Sequence, residues 1–223
     1  MTGRTALVTG GARGIGAAIA TRLKADGWTV LAPARGELDL ADPGSVTAYL
    51  TANEKTAIDG LVINAGVNTP APIGSLSAAD WAHIQQVNCT SAFMLATALC
   101  PAMADRGYGR LVAISSAYAG RARTGRAAYS ASKSALEALV RTIAVEFAPR
   151  GVIANCVAPG FVDTELTRAN NSPEVIAKLL ERVPVGRLAD PAEIADVVSF
   201  LMAPTNRYLT GQTISVDGGL ACT

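Results

Sequence analysis

The sequence predicts an α/β fold, a doubly wound parallel sheet with helices on both faces. Three observations predict it. Short apolar, β-branched runs alternate along the chain with longer helical patterns. The inner residues of those runs are apolar without strict alternation, as parallel strands covered on both faces require. No linker or internal repeat divides the 223 residues, so a single domain over 1–223 is expected.

The elements follow in order. The first strand is Thr5–Thr9, and a helical run, Ala17–Ala25, comes after it. Gly27 stands just past that helix, where a left-handed cap is wanted. The second strand is Thr29–Ala32 and the next helix starts near Pro43. The connection between them is short, because a parallel crossover normally takes about a dozen residues or more by itself. Gly36–Leu40 can therefore be at most a stub of a third strand. Further strands are expected at Gly60–Asn64, Arg110–Ser115, Val152–Val157 and Thr213–Val216. Asp42-Pro43, Ser172-Pro173 and Asp190-Pro191 each set a capping oxygen before a proline at the first helical position. Gly151 closes the long helix before the fifth strand.

Composition removes several classes of function. Half the residues are hydrophobic and 17% are charged, which excludes a disordered chain. A net charge of +1 gives no field to hold nucleic acid or an acidic membrane surface. No apolar run approaches the 18 or so residues of a membrane span. The opening Met1-Thr-Gly-Arg shows no secretory pattern, so a cytoplasmic protein with reduced thiols is expected. The four cysteines lack metal or redox spacing, and His83 is the only histidine. No metal is expected, and a Ser-His-Asp hydrolase site has only that one histidine to draw on. His83 is given no role.

Between the first strand and its helix lies Thr9-Gly10-Gly11-Ala12-Arg13-Gly14-Ile15-Gly16. Glycines let the backbone approach a pyrophosphate, and the helix N-terminus offers free N–H groups. The spacing G-x-x-x-G-x-G differs from the usual dinucleotide fingerprint. At the end of the second strand an acid would accept the ribose hydroxyls of NAD, whereas a base would pair with a 2′-phosphate. The chain reads Leu31-Ala-Pro-Ala-Arg35, with no acid before Glu37. Arg35, with Arg13 as a second cation, favours NADP(H) over NAD(H). The plainer reading of Arg35 is a solvated loop arginine.

Tyr129 and Lys133 are four residues apart, on one face of a helix. A free phenol has a pKa near 10 and is a poor acid-base group at neutral pH. A neighbouring ammonium favours the phenolate, so Lys133 is expected to lower the Tyr129 pKa. Ser116 follows the fourth strand at its C-terminal end, the ligand side of such a sheet, and could stabilise charge on a substrate oxygen. A turn or capping serine is the plainer reading.

These motifs resemble the short-chain dehydrogenase/reductase family in its compact, single-domain, Rossmann-like branch. The matching residues are Thr9–Gly16, Asp39-Leu40, Ile63-Asn-Ala-Gly66, Val87-Asn88, Ile114-Ser-Ser116, Tyr129-Ser-Ala-Ser-Lys133, Asn155-Cys-Val-Ala-Pro-Gly160 with Thr164, and Gly211–Gly219. They cover nearly the whole chain in the family's order. The resemblance implies that Tyr129 is the general acid-base, tuned by Lys133, while Ser116 polarises the carbonyl. It implies that Asn88 holds a water relaying protons to Lys133. On the cofactor side it implies Gly10, Gly14, Ile15 and Gly16 at the pyrophosphate and Asn64, Ala65 and Gly66 along the adenosine ribose. Asp39 and Leu40 would touch the adenine. Lys133 would bind the nicotinamide ribose, with Pro159, Gly160, Val162 and Thr164 at the nicotinamide. It further implies a homotetramer with the helices of Asn88 and Tyr129 at one interface.

The sequence departs from the family at Ile63, where a first asparagine is usual, and in the short segment after the second strand. That shortening removes a wall of the adenosine pocket. The segment Phe161–Leu188 is expected to lie over the crevice as a cover. Thr164–Leu188 and the chain's end are most like 3-oxoacyl-carrier-protein reductases, which implies a carbonyl or alcohol substrate of the 3-oxoacyl-thioester kind. Sugar or small secondary-alcohol dehydrogenases of the same family are the alternative. A non-catalytic NADP-sensing protein is a more remote one, and has no need of all four residues Asn88, Ser116, Tyr129 and Lys133. Between Ser116 and Tyr129 the chain carries Arg121, Arg123 and Arg126 and no acid. Most surface arginines serve no ligand, yet one facing the crevice would bind an anionic substrate group.

Overall fold

The computed structural model describes residues 3–223. Met1 and Thr2, which open the sequence reading, lie outside the described residues. Six strands form one sheet: β1 (Thr5–Val8), β2 (Thr29–Leu31), β3 (Gly60–Ile63), β4 (Gly109–Ile114), β5 (Val152–Pro159) and β6 (Thr213–Val216). Their order is β2-β1-β3-β4-β5-β6, and every pair is parallel. The helices are α1 (Gly14–Ala25), α2 (Pro43–Ala52), α3 (Ala78–Gln85), α4 (Ser91–Asp105), α5 (Ala127–Phe147), α6 (Glu165–Ala169), α7 (Pro173–Leu180) and α8 (Pro191–Met202).

Strand residues alternate between two apolar layers. Leu7, Leu61 and Leu111 enter a core with Val46 of α2, Leu95 of α4 and Leu136 of α5. Val8, Val62 and Val112 enter the other, with Ile19 and Leu23 of α1 and Val198 and Leu201 of α8. Both faces are dry over the central strands β3, β4 and β5, which is why these strands read as continuous apolar runs. The predicted caps form. Asp42 accepts from Gly44 N, Ser172 from Val175 N, and Asp190 closes a capping box with Glu193. Gly27 and Gly151 take the left-handed conformation, at φ of 87° and 84°.

The segment Gly36–Leu40 forms no strand. Leu38 and Leu40 instead turn inward and join the α2-side core. β2 is thereby an edge strand, and the chain returns from it across β1 to start β3. Order reverses at β1 and β3, so their C-terminal ends open a crevice, the place where such sheets bind ligands. The stretch Ala78–Asp105 is long and apolar enough to cross a membrane by length and composition. Here half of its most apolar window is buried, and α4 packs on α2, α5 and strands β3 to β5.

Candidate active site

Thr9 follows β1 directly and organises the crevice. Its buried hydroxyl accepts the N–H groups of Asn64 (3.0 Å) and Ala65 (3.1 Å) and donates to the Val62 carbonyl (3.4 Å). Asn64 returns the contact, donating from Nδ2 to the carbonyls of Thr9 (3.0 Å) and Gly10 (3.2 Å). The loop after β3 is thus stitched to the glycine loop after β1. A β-carbon at Gly16 would stand 2.1 Å from the Gly10 oxygen, so only glycine allows this approach. The first turn of α1 holds no acid, and Arg13 at its N-cap makes no side-chain capping bond. Its N–H groups are therefore open to an anion.

Both cations foreseen for a 2′-phosphate line the cleft, and each already has a carboxylate. Arg35 Nε lies 3.2 Å from Asp39 Oδ2, with the Arg35 side chain 78% exposed. The Ala41 N–H, and then Arg35, hold the Asp39 carboxyl below the usual carboxylate range. Arg13 Nη1 lies 2.6 Å from Glu165 Oε2 of α6, so an exposed ion pair spans from the glycine loop to the covering segment. His83, given no role from sequence, also lines the cleft.

The candidate catalytic side chains come from the segment just after β4 and from α5. Ser115 turns to Glu137 at 2.6 Å, whereas Ser116 accepts the Tyr118 N–H at 3.2 Å. Lys133 is buried and donates to the Ile114 carbonyl at 2.7 Å, with Nζ 5.9 Å from the centre of the Tyr129 ring. Burial pushes the Lys133 ammonium down to about 8. Burial likewise pushes the Tyr129 phenol up, against opposing pulls from the Ser116 hydroxyl and the Arg126 guanidinium. This corrects the sequence-based expectation that Lys133 lowers the phenol. The ammonium is committed to Ile114, and desolvation of the phenolate outweighs the remaining attractions.

Asn88 lies in a π-turn, Gln86–Thr90, that joins α3 to α4, a feature frequent at functional sites. It is fully buried. Its Oδ1 accepts the Val67 N–H (2.8 Å), and Nδ2 donates to the Val67 carbonyl (2.9 Å) and to Ser132 (3.0 Å). The side chain therefore locks the β3 loop to α5.

Most of these groups border one cleft of about 460 Å³. Every residue foreseen as cofactor-binding lines it, as do Ser116, Tyr129 and Lys133, while Asn88 stands behind its wall. Sequence reasoning missed Thr9, His83 and Glu165 there. For Thr9 a signal existed, a lone hydroxyl where an apolar strand ends at a glycine loop. What the arrangement offers chemically is an anion-binding helix end, a buried ammonium, and a phenol and hydroxyl side by side.

A family model described as "short chain dehydrogenase" matches residues 4–45, and one described as "Enoyl-(Acyl carrier protein) reductase" matches residues 32–221. The chain is 36% identical to the 3-oxoacyl-[acyl-carrier-protein] reductase of Vibrio cholerae, over 99% of this chain and 98% of that one. It is 36% identical to the acetoacetyl-CoA reductase of Shinella zoogloeoides, over 97% and 98%. The first match runs over 240 aligned positions, so that relative carries residues this shorter chain does without. Among solved structures, a candidate NAD(P)-dependent gluconate 5-dehydrogenase from Beutenbergia cavernae with bound NADP superimposes with a TM-score of 0.96 at 35% identity. The match covers 100% of this chain and 98% of that one.

Proposed function

We propose, since this chain belongs to the short-chain dehydrogenase/reductase family, that it is an NADP(H)-dependent oxidoreductase acting on a carbonyl or secondary-alcohol carbon. The observation that carries the reading is the convergence of Ser116, Tyr129 and Lys133 on a switch-point cleft whose other end is a glycine-built helix N-terminus. Reduction of 3-oxoacyl thioesters is the first reading, by likeness to the Vibrio and Shinella enzymes. Oxidation or reduction of a sugar acid or small secondary alcohol is the second, by likeness to the gluconate dehydrogenase structure.

The residues present fit the cofactor. A side chain at Gly16 would collide with the Gly10 carbonyl and Asn64, so only glycine lets the loop close here, and the acid-free start of α1 suits a pyrophosphate. Gly10, Gly14, Ile15 and Gly16 would hold it, with Arg35 and Arg13 exchanging their carboxylates for a 2′-phosphate. Asn64, Ala65 and Gly66 would line the adenosine ribose, and Asp39 and Leu40 the adenine. Pro159, Gly160, Val162 and Thr164 would hold the nicotinamide end, and Lys133 its ribose hydroxyls. Bound nicotinamide supplies the hydride to the carbonyl carbon, or takes it in the reverse direction.

Tyr129 gives its phenolic proton to the substrate oxygen, and Ser116 donates a hydrogen bond to that same oxygen. As the oxygen's negative charge develops, the Ser116 hydroxyl meets it in a dry site, where such a donor counts most. The phenol is refilled from solvent. Asn88 acts through Val67 and Ser132, holding α5 in register, and a water relayed to Lys133 remains part of this reading. The segment 161–188 covers the substrate.

The same reading makes 1–223 one domain and the protein a cytoplasmic homotetramer. Phe93 on α4 and Val145 on α5, 54% and 79% exposed, support an interface on those helices. The test is a panel of ketones, 3-oxoacyl thioesters and alcohols, run with NADPH and NADH in parallel and followed at the nicotinamide absorbance. Turnover of a carbonyl with NADPH supports the reading, and none with any substrate rejects it.

A further inference from the structure

The fold sorts the three arginines between Ser116 and Tyr129 into different surroundings. Arg121 reaches the chain's end, donating to the carbonyls of Leu220 and Thr223. Arg123 donates to the Tyr118 hydroxyl at 3.2 Å and lies 5.6 Å from the centre of that ring. Arg126 is the most buried of the three, 7% exposed. Among the described residues no carboxylate pairs with it, and its guanidinium makes no hydrogen bond.

An interior cation without a partner is costly, and proteins ordinarily compensate it. Among the described residues nothing does so for Arg126. The charge of Arg123 bears on it as a second cation, and the only phenols acting on it are Tyr118 and Tyr129. The described polar atoms that are both sealed and unbonded are Asn68 Oδ1, Tyr108 Oη and Ser130 Oγ. The Arg126 nitrogens are not among them, so the guanidinium reaches open space. That space adjoins the reacting end of the site, since Arg126 is the N-cap of α5 and stands three residues, one helical turn, before Tyr129. Tyr118, the partner of Arg123, packs edge-on against Phe161, the first residue of the covering segment, with ring centres 6.0 Å apart.

We propose that Arg126, seconded by Arg123, is an anion subsite beside Tyr129 that takes the carboxylate of a small oxo acid or hydroxy acid. Arginine's planar fork matches a carboxylate with two parallel hydrogen bonds. The cofactor's phosphates do not explain the pair, because their cradle lies at the glycine loop, whereas Arg126 is the N-cap of α5, one turn before Tyr129. A carrier-linked thioester does not explain it either. Its nearest phosphate lies a whole pantetheine arm from the keto carbon, and beside that carbon it offers no charge. The inference rests on the reductase reading for the identity of the reacting group, and it selects free acids among the possible substrates.

The experiment compares pyruvate, acetoacetate and levulinate with their methyl esters, using NADPH, in wild type and in Arg126→Gln, Arg126→Lys and Arg123→Gln. The quantity read is the ratio of kcat/KM for acid over ester. In Arg126→Gln the ratio for the preferred acid should fall about tenfold to a hundredfold, the loss of a charge-assisted pair. Most of the loss should appear in KM, with partial recovery in Arg126→Lys. The same acids are titrated calorimetrically into the enzyme with NADP⁺. A ratio unchanged within about twofold in Arg126→Gln overturns the subsite, as does failure of wild type to bind any of the acids. Should Arg126→Gln not fold, Arg123→Gln is read in its place, and an unchanged ratio there overturns the paired site. Binding of an acid that is lost in Arg126→Gln, without turnover of any substrate, upholds the subsite while rejecting the reductase reading.

Discussion

The ammonium of Lys133 donates a hydrogen bond to the Ile114 carbonyl over 2.7 Å. That bond ties the middle of the first half of α5 to the last residue of β4, just before the two serines. It also explains why a lysine survives in a dry interior, since a buried charge needs at least one partner. That partner is a neutral carbonyl, and burial prevails over it.

A pH dependence of stability follows. The Lys133 ammonium sits at about 8 in the folded chain against an ordinary value of 10.5. Below about 8 both states are protonated and folding bears the full cost of burying the charge. Between about 8 and 10.5 the unfolded chain binds more protons, so stability rises with pH across that window. Lys133→Met lacks this rise. Urea unfolding of cofactor-free wild type and variant, at pH of about 7 and about 10, measures the difference. Parallel responses in the two proteins would show that Lys133 is not desolvated as described.

Gly16→Ala should abolish cofactor binding. Its β-carbon would fall 2.1 Å from the Gly10 oxygen and 2.4 Å from Asn64 Nδ2, so the glycine loop must shift away from the loop after β3. Fluorescence titration with NADPH reads the loss. A variant that still folds and binds NADPH as wild type does would mean that the cradle lies elsewhere.

Arg35→Ala should weaken NADPH more than NADH. Losing a charge-assisted phosphate contact costs on the order of 1.5–3 kcal/mol. Part of that is offset, because the 2′-phosphate must first displace Asp39 from Arg35. Paired titrations of wild type and variant with both nucleotides provide the check. An unchanged NADPH-to-NADH preference would assign the phosphate to Arg13 or to neither.

Much of this was legible because local signals and the fold agree. Apolar runs such as Leu61–Ile63 become strands covered on both faces, and the Asp-Pro and Ser-Pro pairs cap helices through contacts two or three residues away. Tyr129 and Lys133 share one helix, so their spacing alone pairs them. What stayed hidden depends on distant partners. Asn88 meets Val67 and Ser132 from positions far along the chain, inside a π-turn that no spacing announces. The direction of the Tyr129 pKa depends on burial, which local sequence cannot supply, and this reversed the expectation drawn from Lys133. The three arginines of the loop look alike in sequence. Only the fold ties Arg121 to the chain's end, rests Arg123 on Tyr118 and leaves Arg126 without a partner among the described residues.

The most direct test of the central claim is Tyr129→Phe, assayed for carbonyl reduction at the nicotinamide absorbance alongside an NADPH binding titration. The phenol supplies a proton, whereas the glycine loop and α1 hold the nucleotide. Turnover should therefore fall by about 10²–10⁴-fold, while NADPH affinity stays within about threefold of wild type. A phenylalanine variant that keeps more than about a tenth of wild-type turnover would contradict Tyr129 as the acid-base group.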